Sequence, residues 1–378
     1  MRSRMANHTT RTNPFFFESP SDYRAFTDRE ELMASLVALM RQRGRRLLVH
    51  GLRRMGKTSL ILNAGKVSGE CLVFVDASVA TSLNEVAQML LLAAPREEKS
   101  LLPKLLELAQ KYFSSVSVGA GGITLSGELR PSDGPKNLRS VLTYLNARAG
   151  AENRPWTICL DEFQDLRILG GERIDWQIRG IIQHFRNVNF IFSGSDYRLV
   201  SWMTKPNAAF FNQLQMMEVG PIDADLLAAW LAERAKAGGL AHFPFGKDIV
   251  EKAGPRTGDI IRLAMVSFEL AASGKTPDGQ LVTRAFDMLT FSQMASEFFA
   301  RWHDCTLIQR ALLRAIAQGQ APTAAETVSK YGLRSTSTAH TAVEALVKRQ
   351  ILFRDPEGGI KFDSPFFKHW CATQGAQP

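Results

Sequence analysis

Short apolar runs separated by helix-periodic stretches organise the first 220 residues. "RLLVH" (46 to 50), "CLVFVDA" (71 to 77), "WTICLDE" (156 to 162) and "VNFIFSGS" (188 to 195) each read as a strand, and "QMMEVGPI" marks a fifth. The runs hardly alternate, as expected of strands covered on both faces. From Asp28 to about Arg43, Leu32, Met33, Leu36, Val37 and Met40 recur at helical spacing behind acidic first-turn residues. Further helices are expected at "KTSLILNAGK", at 83 to 94, 101 to 113 and about 136 to 148, and around 176 to 186. Strand and helix thus alternate, which predicts an α/β fold with a parallel sheet.

Other stretches break that alternation. "SVSVGAGGITLSGEL" places small or apolar residues on either side of Gly119, Gly121 and Gly122, predicting a glycine-rich hairpin inserted at 115 to 128. From about 222 to 303 every periodic segment is helical, including "DADLLAAWLAERA" and "GDIIRLAMVSFELAASG", which suggests a lid or second domain. The last 70 or so residues contain three helical stretches and then "ILFRDPEGGIKFDSPF", two short strand patterns around a Gly-Gly turn. The expected division is an N-terminal arm (1–25), an α/β domain (26–221), a helical lid (222–303) and a C-terminal module (304–378).

Composition narrows the class. A chain of 378 residues is long for one compact domain, and 45% hydrophobic with 22% charged residues is ordinary for a globular protein. No apolar run approaches the ~18 residues that a membrane helix needs. "MRSRMANHTTRTNPFFF" lacks the apolar core and small-residue cleavage site of a secretory signal, so a cytoplasmic protein is expected. Cys71, Cys159, Cys305 and Cys371 form no CxxC pair, which points to reduced, buried thiols rather than a zinc site or disulfide framework. A net charge of +9 permits contact with nucleic acid or an anionic surface without selecting either.

The chemistry starts at "LLVHGLRRMGKTSLI" (47 to 61). In the spacing GxxxxGK[ST], glycines let successive backbone N–H groups curl around phosphates while the following helix offers its positive end. Gly51, Leu52, Arg53, Arg54, Met55, Gly56, Lys57, Thr58 and Ser59 form this loop. Lys57 is expected to reach the β and γ phosphates, and Thr58 to give a hydroxyl to Mg2+. In "TICLDEFQDL", Asp161 ends a strand where a carboxylate holds the metal, and Glu162 is placed to orient and deprotonate a water. A kinase would not need that second carboxylate, so ATP hydrolysis is favoured. Ser193, in "FIFSGSD", reads either as a contact to the γ phosphate or attacking water, or as a turn residue before the next helix.

With these motifs the chain resembles the archaeal-type ATPases of the P-loop superfamily, near the signalling STAND proteins and the origin-initiator branch of the AAA+ proteins. The resemblance spans nearly the whole chain: "NPFFF" and "FTDREEL", "GLRRMGKTSL", "LDEFQDL", "FSGSD", and a C-terminal winged-helix pattern ending "FDSPFFKHW". It implies a sheet order of 5-1-4-3-2, adenine packing near Phe26 to Arg29, and a lid arginine that senses the γ phosphate, either Arg256 in "GPRTGD" or Arg262. One departure stands out. Relatives often close a "PLYGR" stretch with an arginine, whereas "NAAFFNQ" puts Gln213 there, so hydrolysis is expected to be slow or to need a partner's residue.

The C-terminal module resembles a winged helix. In its third helix Ala339, Val343, Leu346 and Val347 form the buried stripe, leaving Ser337, Thr338, His340, Thr341, Lys348 and Arg349 outward, a polar face that suits a major groove. Glu344 and the acidic "RDPEGG" wing oppose a phosphate backbone. Two functions therefore stand side by side: a DNA-associated ATPase that couples Mg2+-dependent ATP hydrolysis to conformational switching, and a nucleotide-dependent signalling switch whose winged helix holds a protein partner. A homo-oligomer is compatible with either.

Overall fold

The computed structural model describes residues 12–16, 28–95, 102–112, 116–119, 122–125, 133–171, 173–195, 197–273, 279–355 and 357–374. The chain divides at 220/221 into two compact units.

The first unit, 20–220, is built on β1 (Arg46–His50), β2 (Cys71–Asp76), β5 (Trp156–Asp161), β6 (Val188–Gly194) and β7 (Gln215–Glu218). The intervening β3 (Val116–Gly119) and β4 (Gly122–Leu125) pair antiparallel as the glycine-rich hairpin. The five-stranded sheet runs β2-β5-β6-β1-β7 and every pairing is parallel. Numbered within the sheet this is 2-3-4-1-5, the expected 5-1-4-3-2 read from the opposite edge.

Side-chain alternation divides the apolar strand residues between two layers. Leu48, Val73, Val75, Ile158, Leu160, Phe190 and Phe192 pack in one cluster with side chains of the helices Leu83–Ala93, Gly134–Glu152 and Ile174–Ile182. Leu47, Val49, Cys159, Ile191 and Met217 pack in another with α1 (Glu30–Met40) and α2 (Lys57–Ser68). Each fully buried large side chain contributes roughly 1.5–3 kcal/mol, so both layers hold the strand ends firmly in place.

The second unit is helical. Ala224–Ala237, Gly246–Ala253, Thr257–Ala272, Leu281–Met288 and Ala295–His303 are followed by Leu307–Ala317, Ala325–Lys330 and Thr336–Lys348, then by β8 (Leu352–Arg354) and β9 (Ile360–Phe362), and finally by Pro365–Thr373. Four of its helix starts are set by side chains. Asp223 accepts from two backbone amides, Thr306 and Gln309 form a reciprocal capping box, and Ser335 and Ser364 cap the third and last helices of the C-terminal module.

One apolar core runs from Leu227 through Phe298 to Trp370, so the packing continues across the boundary drawn at 303/304. Of the N-terminal arm, 12–16 belongs to this unit. Phe15 is buried against Trp230, Phe243 and Phe268, and Thr12 N–H donates to the Gly238 carbonyl. All four cysteines are free and buried. Among the described residues no helix is long and apolar enough to cross a membrane.

Candidate nucleotide site

β1 ends at His50, and the chain then turns through Gly51 to Gly56 into α2. Gly51 has φ +144°, and a Cβ there would lie 2.4 Å from the Val219 carbonyl oxygen, so only glycine fits. Left-handed backbone recurs at Arg54 (φ 62°) and Gly56 (φ 88°), which curls the loop into the amide-lined form that accepts phosphate. Lys57 is buried, and its Nζ donates to the Gly51 and Leu52 carbonyls at 2.9 and 2.8 Å, centring the ammonium in the loop. Met55 and Ser59 are buried, whereas Arg53 is exposed.

Arg29 braces this loop from outside. It is buried, and its Nη2 donates to the Met55 carbonyl at 2.9 Å and to the Gly220 carbonyl at 2.8 Å. Burial pushes its guanidinium below the ordinary value, with Asp28 opposing. The guanidinium therefore ties the phosphate loop to the segment after β7; adenine packing was expected near Phe26 to Arg29, and Phe26 lies outside the described residues.

Thr58 and Asp161, the two residues expected to hold Mg2+, meet across the sheet. Thr58 Oγ1 donates to Asp161 Oδ2 at 2.7 Å, Ser193 Oγ donates to Asp161 Oδ1 at 2.5 Å, and Glu162 N–H donates to the same Oδ1 at 3.1 Å. Burial pushes the Asp161 carboxyl up, its bonds from Ser193 and Thr58 pull it down, and the Glu162 charge raises it. A buried carboxylate held 2.7 Å from a hydroxyl is a donor set suited to Mg2+, which favours one or two protein oxygens completed by substrate phosphates.

Ser193 lies fully buried in β6, its hydroxyl bonded to Asp161 and 3.9 Å from Cys159 Sγ.

Glu162 has φ 47° and ψ 48°, a left-handed conformation that costs a non-glycine residue ~1–2 kcal/mol. Two side chains hold its carboxylate: Gln164 Nε2 and Ser195 Oγ both donate to Oε2, the latter at 2.9 Å. Gly194 leaves room for this clamp, because a Cβ there would lie 2.3 Å from Gln164 Oε1. Gln164, Gly194 and Ser195 were not singled out from the sequence, although two of them stand in "FSGSD". At the end of β1 the His50 imidazole is depressed by burial and by Lys57, with Glu218 on neighbouring β7 opposing.

The second unit gives the two lid arginines different surroundings. Arg256 is buried: Nη1 lies 2.6 Å from Asp363 Oδ1 and also donates to the Asp363 carbonyl, and the guanidinium stacks 4.8 Å from the Phe353 ring centroid. Arg262 is half-buried, with Nη1 3.2 Å from Met294 Sδ. Back in the first unit, with its amide turned so that the oxygen faces Arg179, Gln213 accepts from Arg179 Nε and Nη2, both at 3.0 Å.

On the C-terminal module's third helix, Ser337, His340, Thr341 and Lys348 are exposed and Thr338 is half-buried. Arg349 is exposed, but its Nη1 donates to the Asp304 carbonyl at 3.1 Å. Of the acidic groups expected to repel phosphate, Glu344 is paired with Arg354 and Asp355 with Lys361 at 2.9 Å, while Glu357 is exposed.

The five-stranded parallel sheet with its phosphate loop is a fold shared with a solved Walker-type ATPase, and residues 296–373 match a family model described as a probable winged helix domain. That match begins inside the helix Ala295–His303, ahead of the boundary expected at 304. Among solved structures the chain is similar to a Walker-type ATPase of Pyrococcus abyssi, at 19% identity and TM-score 0.66 over 95% of this chain and 99% of that one. It is also similar to the ORC1 protein of Aeropyrum pernix in complex with DNA, at 14% identity and TM-score 0.50 over 93% of each chain. No curated protein matches.

Proposed function

We propose that the protein binds ATP with Mg2+, hydrolyses it, and uses the cycle to switch conformation in the manner of the AAA+ and STAND ATPases, in the cytoplasm and in association with DNA. The observation that carries this reading is the 2.7 Å bond from Thr58 Oγ1 to Asp161 Oδ2 beside the buried Lys57. Thr58 and Asp161 would hold the ion, which would offset the charge that develops in transfer. Backbone amides of the loop and Lys57 orient the triphosphate. Glu162, fixed by Gln164 and Ser195, takes the proton of the attacking water. Ser193 is a positioning residue for Asp161.

The γ-phosphate sensor is assigned to Arg262 rather than Arg256, because Arg256 is committed to Asp363 within its own unit. With Gln213 standing where relatives carry an arginine, turnover is slow unless a partner chain supplies a cation. The winged helix is assigned to duplex DNA through Ser337, Thr338, His340, Thr341 and Lys348; internal pairing of Glu344 and Asp355 and the DNA complex of the ORC1 protein support this.

The test is ATP turnover with and without duplex DNA at two salt concentrations. DNA stimulation that fades steeply with salt is expected from counterion release. Turnover without any duplex binding at low salt transfers the winged helix to the second reading, a switch that holds a protein partner. The capture of Arg349 by the Asp304 carbonyl favours that second reading, since it engages one of the cations expected at phosphate.

A further inference from the structure

The end of the sheet remote from the phosphate loop collects arginines from separate segments. Arg41, Arg43 and Arg45 lie between α1 and β1, Arg46 opens β1, Arg179 lies on the helix Ile174–Ile182, and Arg186 precedes β6. They meet because register brings them together. Arg46 is paired with Phe190, Phe190 N–H donates to the Arg45 carbonyl, and Gly44 packs against the Arg186 backbone.

Their polar contacts are to neutral acceptors: Arg41 to the Ser68 carbonyl, Arg43 to Asn153, Arg45 to Gln42, Arg46 to the Ile182 carbonyl, Arg179 to Gln213 and Arg186 to the Phe185 carbonyl. None of the six has a carboxylate partner among the described residues. Glu152, beside the Asn153 that Arg43 contacts, is already taken by Arg148 at 2.9 Å and Trp156 Nε1 at 3.1 Å. Burial depresses the Arg46 guanidinium, and Arg186 and Arg179 add like-charge repulsion.

We propose that this edge is a binding surface for the phosphate backbone of duplex DNA, distinct from the winged helix and from the nucleotide site. Guanidinium forks match phosphate oxygens in pairs, and heads anchored to rigid elements present a fixed array suited to a stiff duplex. β1 has five residues, so the array stands roughly 16 Å along the strand from the phosphate loop. Charge changes there therefore leave nucleotide binding intact. The proposal is independent of what the winged helix binds.

The full-length chain is titrated into a fluorescein-labelled duplex of about 30 base pairs at about 50 and 200 mM salt, and anisotropy is read. Arg43→Glu/Arg45→Glu/Arg186→Glu is expected to lose ~10-fold or more in affinity at the lower salt, and its salt slope to flatten by about 0.9 per lost phosphate contact. The triple Arg→Lys variant keeps most of the binding, and the milder Arg43→Ala/Arg45→Ala pair shows the same loss in smaller degree. Calorimetric ATP affinity equal to native confirms that each variant is folded. Lys348→Glu is run in parallel: if it alone leaves affinity unchanged, the winged-helix reading fails while this one stands. Native-like duplex binding by the triple Glu variant, no duplex binding by the native chain, or binding to anionic vesicles in place of duplex overturns the proposal.

Discussion

Thr58 and Asp161 stand 103 positions apart in the chain, yet the threonine hydroxyl donates to the aspartate carboxylate at 2.7 Å. The parallel sheet produces that meeting. β1 and β5 both end on the same edge, and β6 between them carries Ser193 to the other oxygen of the same carboxylate.

Asp161→Asn is expected to abolish Mg2+-dependent ATP turnover, by ~10^2 or more, while metal-free nucleotide binding survives. It also has a pH signature. Because burial raises the folded carboxyl above its unfolded value, this group favours the folded state at pH below the ordinary carboxylate value, and that contribution is lost as pH rises through the folded value. Without metal, the Tm of the variant minus that of the native chain should therefore grow from about pH 4 to about pH 7. A gap that narrows over this range removes the assignment.

Glu162→Gln should leave ATP affinity nearly unchanged and cut turnover by ~10^2 or more. Ser195→Ala removes one of the two bonds on the same carboxylate oxygen and should cost less, since Gln164 still holds it. Single-turnover rates compare the two; equal effects would show that orientation, rather than proton transfer, limits the step.

Gly51→Ala puts a methyl group 2.4 Å from the Val219 oxygen at a φ of +144°. The loop has to shift, at a cost of roughly 1–3 kcal/mol. Thermal unfolding and ATP calorimetry should both report the loss, and native values in both would mean that the loop relaxes freely.

Arg256→Ala leaves Asp363 buried without its cation and should destabilise the protein by about 3–5 kcal/mol. Arg262→Ala should change Tm little and slow ATP turnover. Chemical denaturation and turnover measured on both variants decide the matter; the opposite pattern would return the sensor role to Arg256.

Much of the first unit was legible in the chain because its signals are local. Buried parallel strands appear as apolar runs, and the phosphate loop is contiguous, so Gly51 to Ser59 could be named from spacing alone. The final helix, Pro365–Thr373, was less visible. Ser364 as its cap, Pro365 in its first turn, and Phe366, Phe367 and Trp370 facing the core are a helix-start pattern, but one that the "FDSPFFKHW" stretch presents over too few residues to show a period. Ser193 and Ser195 sit two positions apart on a strand and the turn after it, so local sequence could not divide their roles. The fold turned one inward to Asp161 and the other to Glu162.

The sequence by itself determined the strand-and-helix alternation, the phosphate loop, the acidic pair and the winged-helix pattern, because each depends on neighbours a few residues away. Only the tertiary structure decided that Arg29 grips the phosphate loop, that Arg256 is spent on Asp363, and that arginines from four segments share one edge of the sheet. Long side chains reach partners that their position in the chain does not specify, and a guanidinium takes whichever acceptor the packed backbone brings within range.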